Sequence, residues 1–148
     1  MVINSIKGVT VTPLKIIENP KGNILHALKK SENEFDTFGE AYFSTINYNE
    51  IKGWKKHKEM TLNLIVPCGI IKFVVFDDRR DSETVNHFFE IIISKLNYCR
   101  LTIKPGLWLA FQGLETHNIL LNIANLEHNP NESENIEIEA LNYNWYKE

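Results

Sequence analysis

One short run in this chain concentrates groups that can exchange protons and hold anions: Ile51-Lys52-Gly53-Trp54-Lys55-Lys56-His57-Lys58. His57 carries the side-chain type that titrates near neutral pH without help. Lys52, Lys55, Lys56 and Lys58 make a local basic cluster around it. Such a cluster is either a solvated corner or the seat of a small anionic ligand. Just upstream, Glu40, Tyr42 and Ser44 alternate along Gly39-Glu40-Ala41-Tyr42-Phe43-Ser44-Thr45, so they share one face of a strand. A buried Glu40 needs a partner, which one of the lysines can supply. His26, His87 and His117 have no comparable surroundings. Cys68 and Cys99 match no metal or redox spacing and sit in apolar, strand-like context, so both read as buried and inert.

The elements that must position these groups are strands. From Glu40 to Arg80 the sequence reads as three strands joined by glycine-containing corners, forming one wall of a small β-barrel with its inward face as the site. Met60, Leu62, Leu64 and Val66 alternate with Thr61, Asn63, Ile65 and Pro67, and Cys68-Gly69 turns the chain into the dense apolar strand Ile70–Phe76. Upstream, residues 9–17 suggest an edge strand interrupted by Pro13. A turn at Glu18-Asn19-Pro20-Lys21-Gly22-Asn23 follows, then a short strand from Ile24 and a polar loop that docks Phe35 and Phe38. Downstream, Phe88–Ile93, Arg100–Ile103, Leu107–Phe111 and Asn118–Ala124 are further strands. Residues 125–148 turn polar and predict a short helix or irregular tail, anchored by Ile136, Ile138 and Trp145. Many short strands with frequent turn signals predict an all-β protein, a single-domain antiparallel jelly-roll β-barrel spanning 1–148.

The 148 residues suit one domain with a real core. A net charge of −3 without a basic stripe argues against nucleic acid as the main partner. No apolar run is long enough to span a bilayer and the N-terminus lacks a signal-peptide layout, so no membrane partner and a cytoplasmic location are expected.

From Ile51 to His57 the sequence resembles the dTDP-4-dehydrorhamnose 3,5-epimerase family and the related cupin sugar-nucleotide ketoisomerases. The resemblance continues through Gly69, the strand Ile71–Phe76, the corner Asp77-Asp78-Arg79-Arg80-Asp81-Ser82-Glu83-Thr84, and the turn Lys104-Pro105-Gly106 leading to Phe111. Asn19-Pro20-Lys21-Gly22 sits where the family has an aspartate and an arginine-glycine pair. Together these cover most of residues 12–128. The resemblance implies a cupin, usually a homodimer, that acts without a cofactor on nucleotide-linked 4-keto-6-deoxy sugars in surface-polysaccharide biosynthesis. A base removes a proton beside the ketone and an acid, often a tyrosine, returns one from the other face.

This chain departs from that pattern at several points. The family's usual first histidine falls on Lys55, and His57 matches only the second of the His-x-His pair found in some relatives. The later histidine falls on Leu109, the expected cation near Leu62, and the acid-tyrosine region reads Leu126-Glu127-His128-Asn129-Pro130. With Lys55 and Leu109 at metal-cupin histidine positions, no bound metal is expected. The resemblance leaves His57 or His128 as base, or Lys55 if burial or its lysine neighbours lower its pKa. Tyr42, Glu40 and Glu127 are the candidate helpers. Ser44 and Asn63 are further substrate contacts. Arg79 is a corner anchor or a pyrophosphate ligand, with Lys21 contributed from a dimer partner. Trp108 is core, pocket wall or a stacking platform for the nucleotide. Besides the enzyme, the alternatives are a catalytically inactive sugar-nucleotide-binding cupin and a purely structural protein.

Overall fold

The computed structural model describes residues 1–146. The first half of the chain forms β1 (Val9–Pro13), β2 (Ile16–Ile17), β3 (Ile24–Leu25), β4 (Glu40–Thr45), β5 (Ile51–His57), β6 (Leu62–Cys68) and β7 (Ile71–Asp77). The second half forms β8 (His87–Ile93), β9 (Cys99–Ile103), β10 (Trp108–Gly113), β11 (Ile119–Ala124) and β12 (Ser133–Asn135). Ten of these strands make two five-stranded sheets, ordered β1-β9-β6-β11-β4 and β12-β5-β10-β7-β8, while β2 and β3 pair as a separate hairpin. Every pairing between named strands is antiparallel. This is the jelly-roll arrangement expected, with Pro13 at the end of an edge strand as its missing N–H requires.

Residues 40–77 do not form one wall. They make four strands, and these alternate between the sheets: β4 and β6 lie in one, β5 and β7 in the other. The reason is burial. Leu62, Leu64 and Val66 of β6 and Phe73 and Val75 of β7 belong to one core cluster and cover each other only from opposing sheets. Each sheet is then filled by strands returning from later in the chain, β11 between β6 and β4 and β10 between β5 and β7.

Both outer faces are covered as well, which explains why β6 is buried from Leu62 to Val66 on both sets of alternating positions. Over the first sheet, the segment from His26 to Phe38 is held by polar contacts. Arg100, fully buried, donates to the Ala27 carbonyl at 2.8 Å and to Glu32 at 2.8 Å. Asn63 donates to the Glu34 carbonyl and accepts from Thr102. Phe35 is half-buried there, but Phe38 is 65% exposed rather than docked, because hydrogen bonds rather than that ring fix the segment. Over the second sheet lies a second apolar cluster of Trp54, Val74, Phe88, Trp108, Tyr143 and Trp145, with Ile136 and Ile138 against it. Ile136, Ile138 and Trp145 of the C-terminal segment are part of this cluster. The conformation of that segment differs from a short helix: two single 3₁₀ turns, Pro130–Glu132 and Ile138–Ala140, flank β12. Cys99 is buried and Cys68 half-buried; both are free thiols. Among the described residues no helix is long and apolar enough to cross a membrane.

Candidate active site

A cavity of about 290 Å³ opens between the two sheets. Its wall from β5 owes its composition to a bulge. Leu109 pairs with Lys55 and Ala110 with Gly53, so the register shifts by one residue at Trp54. Residues opposite each other in an antiparallel pair share a face, so Phe111 brings Lys52 to the inner side and Leu109 brings Lys55. Without the extra residue, Lys52 and Lys55, three apart, would face opposite ways. With it, Lys52, Lys55 and His57 all line the cavity, and Trp54 turns outward, fully buried, with its indole N–H donating to the Ile138 carbonyl. Gly53 makes this possible. Its φ is +137°, and a Cβ there would lie 2.5 Å from the Ala110 Cβ.

His57 is held by a carboxylate from far along the chain. Its Nδ1 lies 2.6 Å from Glu132 Oε1, while Glu132 Oε2 accepts from the backbone N–H groups of Glu59 and Met60, each at 2.8 Å. Burial pushes the Glu132 carboxyl up, but the hydrogen bonds from His57, Glu59 and Met60 outweigh it and hold the group below its ordinary range. A carboxylate in that position keeps the proton on Nδ1, so Nε2 is the nitrogen left to accept one. Glu132 closes the first 3₁₀ turn of the tail, which starts from an Asn129 cap. β12 then pairs with β5, Ser133 opposite His57 and Asn135 opposite Lys55, and Asn135 joins the cavity wall.

The facing wall comes from the other sheet. Tyr42 and Ser44 of β4, Leu62 and Leu64 of β6, and Leu120 and Asn122 of β11 line it. Asn122 sits opposite Tyr42 in the strand pairing and donates from Nδ2 to the phenol oxygen at 2.9 Å. Burial pushes the Tyr42 phenol above its usual range, against the smaller opposing pull of Asn122. Lys52 caps the Thr45 carbonyl at 2.6 Å. Lys52 and Lys55 are formal cations and among the described residues no carboxylate belongs to the lining, so the cavity favours an anionic or anion-forming guest. Among the described residues no three His, Cys, Asp or Glu side chains converge as a metal-holding group.

Of the residues singled out from sequence, the cavity gathers His57, Lys55, Tyr42 and Ser44. Glu40 is half-buried at the start of β4, opposite Ala124 and beyond the lining. Asn63 faces the outer side of its sheet. Arg79 donates from Nε and Nη2 to Asp77 and from Nη2 to the Lys7 carbonyl, and Asp77 also accepts from Ser82 and Thr84, which ties the charged corner together away from the cavity. Trp108 belongs to the outer cluster and donates to Asp78, which also takes Lys56. Lys21 lies exposed at the β2–β3 turn, and Glu127 and His128 lie exposed after β11. Glu132, Asn122, Asn135 and the inward turn of Lys52 were not foreseen. Asn122 alone had a signal, a lone amide in the apolar strand Ile119-Leu120-Leu121-Asn122-Ile123-Ala124.

No family model matches the chain. Among curated proteins it is 24% identical over 119 residues to a probable low-salt glycan biosynthesis epimerase of Haloferax volcanii, spanning 79% of this chain and 76% of that protein. It is 25% identical over 148 residues to a spore coat polysaccharide biosynthesis protein of Bacillus subtilis, spanning 97% and 98% respectively. Among solved structures it matches a dTDP sugar isomerase from Desulfovibrio desulfuricans at a TM-score of 0.91 and 30% identity, over 95% of this chain and 92% of that one. The chain belongs to the dTDP-sugar epimerase and isomerase family. As a member of it the protein is an enzyme of the sugar-nucleotide isomerase kind. Within this epimerase and isomerase fold, the unusual Lys55 does not displace a histidine from the cavity. It stands beside one, and His57 brings its own carboxylate.

Proposed function

We propose that the protein epimerises or isomerises a dTDP-linked 4-keto-6-deoxy sugar on a route to a surface polysaccharide or glycan. The observation that carries this reading is the His57–Glu132 pair, set in one cavity with Tyr42 on the opposing sheet. Nε2 of His57 takes the proton from the carbon beside the ketone, and the C–H electron pair moves onto the ketone oxygen as an enolate. Lys55 stabilises that oxygen, and Lys52 favours the anionic substrate at the same wall. Tyr42 returns a proton from the other side. Its raised pKa keeps the phenol protonated at neutral pH, and its half-exposed ring allows solvent to restore the proton afterwards. The cavity has room for a hexose ring but not for a whole sugar nucleotide, so the nucleotide extends from the mouth. No step requires a cofactor. The working form is a cytoplasmic homodimer, in which Lys21 of the exposed β2–β3 turn contributes to the partner's substrate site.

Solvent-deuterium exchange tests the reading. In D₂O the protein should incorporate deuterium at a carbon flanking the ketone of dTDP-4-keto-6-deoxyglucose, as read by NMR or mass spectrometry. Binding of dTDP-sugar in a calorimeter without exchange would leave an inactive binding protein. Neither binding nor exchange with dTDP-, GDP- or CDP-linked substrates would sink the proposal.

A further inference from the structure

Three of the four lysines between Lys52 and Lys58 have their ammonium groups engaged. Lys52 donates to the Thr45 carbonyl, Lys56 to Asp78 and Lys58 to the Asn131 carbonyl. Lys55 is different. Among the described residues its Nζ has no hydrogen bond, ion pair or aromatic contact. It is half-buried in the cavity wall and paired with Leu109 in the strand register, and Leu62, Leu64, Leu109 and Leu120 line the same space. Lys52 is a second cation in that lining. A fixed structural charge would have a carboxylate or a carbonyl beside it, as each of the other three lysines has. An amine left unbonded among apolar side chains and near another cation is instead equipped to attack a carbonyl carbon. The functional reading above brings a ketone into this cavity.

We propose that Lys55 condenses with the substrate ketone to form an iminium ion, which makes it a covalent catalyst beside the His57–Tyr42 acid–base pair. The inference rests on that functional reading and deepens it at the same site. The ammonium that stabilises the ketone oxygen is the starting form of the group. His57 Nε2 takes one of its protons. The nitrogen lone pair then forms the C–N bond, and the carbonyl π pair moves onto the oxygen. Two of the three ammonium hydrogens reach that oxygen by way of His57, and it leaves as water while the nitrogen pair closes the C=N bond. Ketone and ammonium have become iminium and water, with charge conserved and no outside reagent used. His57, free again, removes the proton from the neighbouring carbon, and the C–H pair moves to the iminium nitrogen to give a neutral enamine. A positively charged nitrogen accepts that pair more readily than a neutral ketone oxygen does. Tyr42 returns a proton to the carbon from the opposing sheet. Water added across the C=N bond then releases the ketone and restores the ammonium, and solvent takes the proton from His57 and replaces the one on Tyr42.

Sodium cyanoborohydride reduces an iminium to a stable secondary amine and so traps the intermediate. Intact protein treated with dTDP-4-keto-6-deoxyglucose and cyanoborohydride should gain the mass of the substrate less one oxygen atom. Peptide mapping should place that addition on Lys55. Lys55→Arg keeps the positive charge but cannot form an imine, so it should lose the adduct together with most of the deuterium exchange. Exchange by the wild type with no adduct on Lys55, or full exchange by Lys55→Arg, would overturn the covalent role and leave the functional reading standing. Adducts on exposed lysines such as Lys21 and Lys58, with none on Lys55, would overturn it as well. Absence of both adduct and exchange in the wild type would overturn the functional reading and the covalent role together. Should Lys55→Arg not fold, trapping on the wild type decides by itself.

Discussion

The chemistry turns on which nitrogen of His57 carries a proton, and one side chain sets that. Glu132 can only accept, so Nδ1 donates to it and Nε2 stays a base. In Glu132→Gln, the single amide oxygen would serve the backbone donors of Glu59 and Met60, and the amide NH₂ would face Nδ1. Nδ1 would then accept, Nε2 would carry the proton, and the base would be switched off. Exchange should fall by about 10²- to 10⁴-fold with the KM for substrate little changed. A merely structural role for Glu132 would show instead as a loss of folding with kcat intact. Both of these residues were unequally visible in the sequence. His57 could be read because a histidine among lysines beside a glycine is a local signal. Glu132 could not, because 75 positions separate it from His57 and only the tertiary fold brings its polar segment onto β5.

At the scale of elements, β5 is the part that makes a site out of a strand. Its bulge converts a spacing of three into a common inward face for Lys52 and Lys55 and sends Trp54 to the outer cluster. Gly53→Ala places a Cβ against Ala110 at a backbone angle that L-residues rarely adopt. The variant should lose about 1–3 kcal/mol in a urea titration. Deuterium exchange should fall as well, because the lysines and His57 lose their register. Stability and exchange both unchanged would show that the bulge does not depend on glycine. The strands themselves were legible from period-two patterning and turn residues, including the placement of Glu40, Tyr42 and Ser44 on one face. What was not legible was partnership. Alternation says which side chains share a face, not which strand lies alongside, so a stretch that weaves between two sheets read as one wall. β12 was equally hidden: Ser133-Glu134-Asn135 has no strand propensity and exists as a strand because β5 offers it an edge.

For the whole molecule, the polar contacts that pin loops to the sheets should make its stability depend on acid in a definite direction. Among the described residues three carboxylates are held below their ordinary values in the fold. Asp77 is pushed up by burial but pulled well down by Arg79, Ser82 and Thr84. Glu132 is pushed up by burial and pulled down by His57 and two backbone donors. Glu32 is lowered first by its hydrogen bond from Arg100. These groups tie down the Asp77–Thr84 corner, the tail that carries Glu132 and the segment over the first sheet. In the unfolded chain they revert to ordinary carboxylates, with pKa values of 3.8 for aspartate and 4.5 for glutamate. Above those values both states are ionised and the stabilisation is fully present. As pH falls through them the unfolded chain binds protons first, so stability declines, and the loss is complete only below the lower folded values. The urea midpoint should therefore be flat from pH 7 to about 5 and drop steadily from about 4.5 downward. Glu132→Gln should begin from a lower midpoint at pH 7 and fall less steeply, since one of the three titrating carboxylates is gone. A wild-type midpoint that does not change between pH 6 and pH 3 would mean that these carboxylates are no better placed in the fold than in the open chain. The corner, the tail and the outer segment would then owe their positions to apolar packing alone.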